Sequence, residues 1–157
     1  MPFYRRRNLI LIKFHQKQKL KKRSSISIGF INLGCAKNTV DSQIMAGALI
    51  ADGMCLAATP ETADVLLVNT CAFIEPARAE AAEAILQACA HKKKGGCKAV
   101  IVTGCLPQRY RERAQETFPE VDAFTGVDQL EEIAEIVLRV VAGEKKIFEI
   151  PKGNANR

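Results

Sequence analysis

The stretch VLLVNTCAFIEPARAEAAEAI, residues 65–85, decides how the chain folds. Val65 to Val68 is a short apolar run that reads as a buried strand. A cysteine, Cys71, stands where that strand should break. Pro76 then sits at a first helical position, and the alanine-rich segment that follows carries its acids early and its bases late, as a helix dipole prefers. The same sequence of events occurs twice more. INLGCAKN (31–38) puts Cys35 after the apolar run Ile26 to Leu33, and VTGCLPQ (102–108) puts Cys105 after Ala99 to Val102.

Outward from these three segments, strands and helices alternate. Strand one is read over Ile26–Leu33, followed by a helix capped by Asn38 or Thr39 and stopped at Gly53. A short second strand spans Met54–Ala57, the third Val65–Asn69, the fourth Lys98–Thr103 and the fifth Val121–Thr125. Between the last two lies a short charged helix, Arg109–Phe118. Asp128 caps a helix through Val141, with Leu130, Ile133, Ile136, Val137 and Val140 on one face, and KKIFEIP is a final extended piece. Alternation with continuously apolar strands predicts an α/β fold, a three-layer sandwich around a parallel sheet of about five strands, flavodoxin-like or Rossmann-like.

The charge is uneven. Residues 1–25 hold nine Lys and Arg and no acid, leaving 14 basic against 17 acidic residues elsewhere, so the net +6 is the sum of +9 and −3. The arm is too short and too charged to span a bilayer. It could neutralise RNA phosphates, but no glycine, aromatic or repeat pattern frames its charges. We read it as a disordered extension or a start codon assigned too early. Residues 26–150 form the domain, and 151–157 a polar tail. Without a secretion signal or an apolar span, the expected location is the cytoplasm, where six cysteines are core filler or metal ligands and not disulfides.

In a parallel sheet all strands point one way, so Cys35, Cys71 and Cys105 emerge at its carboxyl edge, where open α/β sheets place ligands. In the strand order 2-1-3-4-5, strands one, three and four are neighbours about 4.8 Å apart. Residues 36 and 34 positions apart in sequence then share one pocket. Structural zinc takes four ligands, often in close pairs, and there is no CxxC, so three thiolates suit an iron–sulfur cluster better. With three ligands one iron stays open to an exogenous group. Helix N-termini after Cys35 and Cys71 would offset the cluster's charge. A single strand-end cysteine is usually filler; three at equivalent ends favour coordination. Cys55, Cys89 and Cys97 fail this test and read as structural. His15 and His91 lie in basic, surface-like surroundings. Asp41, Glu75 and Arg109 fall near the same edge; a polar role in the pocket is one reading of each, and surface solvation or helix-end charge placement is the favoured one. No phosphate-binding glycine loop appears.

With these residues in view, the chain resembles the N-terminal domain of the radical S-adenosylmethionine methylthiotransferases. LGCAKNTVDSQ, NTCAFIEPARAEAAEAI and VTGCLPQRY are similar to that family's three cluster-binding segments, in order. GCAKN followed by VDS resembles the branch that modifies an aspartate of a small-subunit ribosomal protein more than the tRNA-modifying branch. The resemblance implies that Cys35, Cys71 and Cys105 hold an auxiliary 4Fe–4S cluster whose open iron presents the sulfur that is methylated and inserted into a C–H bond. It places Asn38 and Asn69 as partners for turn backbone or cluster sulfur. Gln43 stands where the family usually has glutamate, and Pro107 where a small residue is common.

The radical reaction needs a second cluster on Cys-x3-Cys-x2-Cys, and the cysteine spacings of 20, 16, 18, 8 and 8 do not supply it. S-adenosylmethionine would therefore act only through a radical domain, in cis or in trans. The expected partners are that domain and a ribosomal protein or the ribosome, with tRNA as the alternative. The chain reads as a fragment, a truncated product or a separately encoded module. The competing reading is a metal-free flavodoxin-like module docking to RNA or the ribosome; a nucleotide-binding domain is a weaker third.

Overall fold

The computed structural model describes residues 26–150. The basic arm with His15, and the polar tail, lie outside the described residues. The elements in order are β1 (Ser27–Asn32), α1 (Ala36–Ala51), β2 (Cys55–Leu56), a 3-10 turn (Pro60–Thr62), β3 (Val65–Thr70), α2 (Glu75–Lys93) and β4 (Ala99–Gly104). Then come α3 (Cys105–Tyr110), α4 (Glu112–Thr117), β5 (Ala123–Thr125), α5 (Ile133–Val141) and β6 (Ile147–Glu149). The strands form one six-stranded sheet in the order β2-β1-β3-β4-β5-β6, with each neighbouring pair parallel. The α/β sandwich is thus the one expected, and the KKIFEIP piece adds its sixth strand.

Side chains alternate across the pleat. Val65, Leu67, Ala99 and Ile101 face one layer with Met45 and Leu49 of α1 and Ile133, Ile136 and Val137 of α5. Leu66, Val68, Val100 and Val102 face the other, with Ala81, Ile85 and Ala88 of α2 and Ala114 and Phe118 beyond α3. Every residue of β3 and β4 is buried. This is why both read as unbroken apolar runs, and it fixes the two central strands that carry two of the three cysteines.

Three boundaries differ from the sequence expectation. Helix α1 starts at Ala36 with Cys35 as its extended N-cap, because Gly34 at φ 108° reverses the chain before Asn38 is reached. The charged helix is two helices, α3 and α4, separated at Arg111, whose φ of 50° lets its N–H close the first on the Pro107 carbonyl at 2.8 Å. Asp128 does not cap α5. The Gln129 side chain instead accepts from the Gly126 N–H at 2.9 Å, folding 126–129 into a turn and delaying the helix to Ile133.

Candidate metal centre

The ladder shows how three distant cysteines reach one rim. Asn32 pairs in register with Asn69, Asn69 with Thr103, and Thr70 with Gly104. Cys71 and Cys105 are each the next residue after that last pair, and Cys35 lies three residues past Asn32. All three stand at the carboxyl ends of adjacent strands.

Two glycines set the approach. Gly34 has φ 108°, and a Cβ there would come within 2.6 Å of the Cys71 Cβ. Gly104 has φ 98°, and a Cβ would meet the Thr70 carbonyl oxygen at 2.4 Å. Each glycine precedes a cysteine and presses its backbone against the β3 end, so the first and third cysteine turns both close on the second.

A polar network fastens these turns from below. The Cys35 thiol donates to Asn38 Oδ1 at 3.2 Å. Asn38 Nδ2 donates to Asn69 Oδ1 at 3.2 Å and to the Thr70 carbonyl at 2.9 Å. Asn69 Nδ2 returns bonds to the Asn38 carbonyl at 2.8 Å and to Ser42 Oγ at 2.9 Å. Asn38 and Asn69 are both buried, so their satisfied amides hold the α1 start against β3. Thr70 Oγ1 donates to the Thr103 carbonyl at 2.7 Å and accepts from the Leu106 N–H at 3.2 Å, which ties the start of α3 to the same strand end.

Helices follow Cys35 and Cys71 as expected, and a third starts at Cys105 itself. Cys105 is the first residue of α3, whereas Cys71 enters an irregular loop that runs to the α2 N-cap, Ile74. At Cys35 the backbone N–H groups of Asn38 and then Lys37 hold the exposed thiol below its ordinary pKa. At Cys105 burial pushes the thiol up; Lys37 opposes this, and Cys71 and Cys35 add to it. The Cys71 and Cys35 sulfurs therefore both lie within electrostatic reach of Cys105. A cationic group between them would relieve that repulsion.

Among the described residues no three His, Cys, Asp or Glu side chains converge closely enough to hold a single metal ion. Zinc held by sulfur at about 2.3 Å needs such convergence. An iron–sulfur cluster does not, since each thiolate binds its own iron. A donor set of three half-exposed to exposed thiols at one rim, with two helix starts beneath, fits the larger group.

The remaining candidates fall elsewhere. Cys89 and Cys97 are buried in the α2-side core, and burial raises both thiols; Cys55 is exposed on the edge strand β2. His91 is half-buried, with Nε2 enclosed and without a hydrogen-bond partner, and packed on Gly96, so its ring is less exposed than the basic surroundings suggest. Asp41 pairs with Lys37 at 3.6 Å, and Glu75 with Arg78. Arg109 Nη1 donates to the Ala72 carbonyl at 3.0 Å.

Asn32 and Ser42 also belong to the network: Asn32 Oδ1 accepts from Ser42 Oγ at 3.1 Å and from Asn69 Nδ2 at 3.4 Å. The sequence signal for Asn32 is that it, Asn69, Thr103 and Thr125 each end an apolar run with a polar residue at one sheet level, and Thr125 Oγ1 donates to Thr103 Oγ1 at 3.0 Å; Ser42, inside α1, carries no such signal.

The profile of the Uncharacterized protein family UPF0004 matches residues 27–126, which include all three rim cysteines. The chain belongs to this family. It is the N-terminal domain of the methylthiotransferases that the three segments resembled. A protein of Solibacter usitatus named Ribosomal protein uS12 methylthiotransferase RimO is 49% identical over 111 residues, covering 71% of this chain and 24% of that protein. Its namesake from Symbiobacterium thermophilum is 44% identical over 120 residues, 76% of this chain and 25% of the relative. That of Pelotomaculum thermopropionicum is 45% identical over 123 residues, 78% and 28%. All three relatives bear the name of the ribosomal-protein branch. The chain spans about a quarter of the length of the curated relatives it matches. No helix among the described residues is long and apolar enough to cross a membrane.

Proposed function

We propose that this domain, residues 26–150, carries the auxiliary 4Fe–4S cluster of a cytoplasmic methylthiotransferase on Cys35, Cys71 and Cys105. The observation that supports it most is the rim itself: three cysteines at the carboxyl ends of neighbouring parallel strands, each turn locked to β3. When bound, such a cluster supplies the sulfur that is methylated and transferred to carbon. The chain's own residues do the holding. Cys35 offers a thiolate eased by the α1 N-terminus, and Cys105 enters from the α3 start. Asn38 and Asn69 fix the Cys35 turn against the strand that delivers Cys71.

The proposed substrate is the aspartate of ribosomal protein uS12, following the names of the relatives, with tRNA as the less favoured acceptor. The radical chemistry and S-adenosylmethionine belong to a further domain, in cis or in trans. A chimera tests this reading: the domain replaces its counterpart in a full-length relative, and uS12 is weighed by mass spectrometry. Gain of one methylthio group in place of hydrogen is expected, and its loss when Cys71 is changed to Ala. An active Cys71→Ala chimera would overturn the proposal. The metal-free reading of the same fold predicts that the chimera is inactive and the isolated chain binds no iron.

A further inference from the structure

Resting on the cluster reading above, we propose that Arg109 is a positioning residue that braces the Cys71 loop from the Cys105 helix. Arg109 lies four residues after Cys105, one turn along the same face of α3. Its Nη1 donates to the carbonyl of Ala72, the residue immediately after Cys71, at 3.0 Å. The guanidinium carbon sits 5.7 Å from the centroid of the Tyr110 ring, within cation–π range, which restricts the side chain to that direction.

The loop needs such a brace. Between β3 and α2 only Ala72 is buried, while Phe73 is 85% and Ile74 53% exposed, so apolar packing anchors one residue of the loop. The Cys35 turn has its own fastening through Asn38 and Asn69. The start of α3 is fixed by Thr70 and, further along, by Gln108 Oε1 accepting the Val127 N–H at 3.3 Å. The Arg109 bond then transmits the position of this anchored helix to Cys71. Its action falls on the Cys71–Cys105 spacing and leaves Cys35 untouched.

Arg109 is exposed, so replacing it leaves the core intact. The test uses the full chain with Arg109→Met and Arg109→Lys beside wild type. In the metal-free chain, iodoacetamide should label Cys71 several-fold faster in Arg109→Met, with the rate at Cys35 unchanged. After anaerobic loading with iron and sulfide, a chelator should strip iron from Arg109→Met about tenfold faster, with an altered electron paramagnetic resonance signal of the reduced chain. Arg109→Lys, which keeps a donor and the charge, should move all three readouts back toward wild type. If wild type takes up no iron, the cluster reading fails and the role given to Arg109 fails with it. If wild type loads normally and Arg109→Met matches it in labelling and iron release, the brace is overturned while the cluster reading stands.

Discussion

A methyl group at position 104 would lie 2.4 Å from the Thr70 carbonyl oxygen and 2.7 Å from Asn69 Oδ1, closer than atoms tolerate. Backbone at φ 98° and ψ −153° is also territory that only glycine occupies at low cost. Gly104→Ala should therefore lower stability by about 1–3 kcal/mol, measured by urea unfolding; an unchanged midpoint contradicts the close packing described here. The same rim predicts an order among thiols. Backbone N–H groups of Asn38 and Lys37 lower Cys35, while burial raises Cys105. In the metal-free chain the alkylation rate of Cys35 should rise at a lower pH than that of Cys105. Coincident profiles would rule out the electrostatic picture of the site.

Among the elements, β3 and β4 were plain in the sequence because burial on both faces leaves no polar residue until the strand ends. The helix boundaries were not, for identifiable reasons. A positive φ at Arg111 and the Gln129 side chain on Gly126 N are local choices that residue type does not announce. Cys35 is an unusual N-cap, and Asn38, which looks like one, is spent on the network across to Asn69. The opposite end of the sheet holds a second polar anchor that the sequence hid among charges. Asp122 is 3% exposed and accepts from the Val100 N–H at 2.9 Å, Lys92 at 2.9 Å and Lys145 at 2.8 Å, joining α2, β4 and the β6 approach. Burial alone would raise its pKa; Lys145, the Val100 N–H and Lys92 together bring it below the usual carboxylate value. The unfolded chain then binds this proton more readily, so the stabilisation is complete above about pH 4 and drains away as pH falls through the folded value. Asp122→Asn should lose about 1–3 kcal/mol at pH 7 and show a flatter decline below pH of about 4. Parallel curves for variant and wild type in urea titrations would contradict this.

For the whole molecule, one topology does two jobs. Covering the sheet on both faces makes the core, and running the strands in parallel with β1, β3 and β4 adjacent brings Cys35, Cys71 and Cys105 to a single rim. Alternation left both a flavodoxin-like and a Rossmann-like strand order open, and the observed order is the one that sets the three cysteine-bearing strand ends side by side. The asparagine–threonine floor beneath them was not legible in the sequence, because its partners are set by register between residues more than thirty positions apart. Iron and sulfide content after anaerobic reconstitution bears most directly on the claim that this rim holds a cluster. The full chain should take up about four irons. Replacing Cys55, Cys89 and Cys97 together with Ser or Ala should leave that number intact, whereas replacing Cys35, Cys71 and Cys105 with Ala should abolish it. Four irons retained without the three rim cysteines would contradict the account.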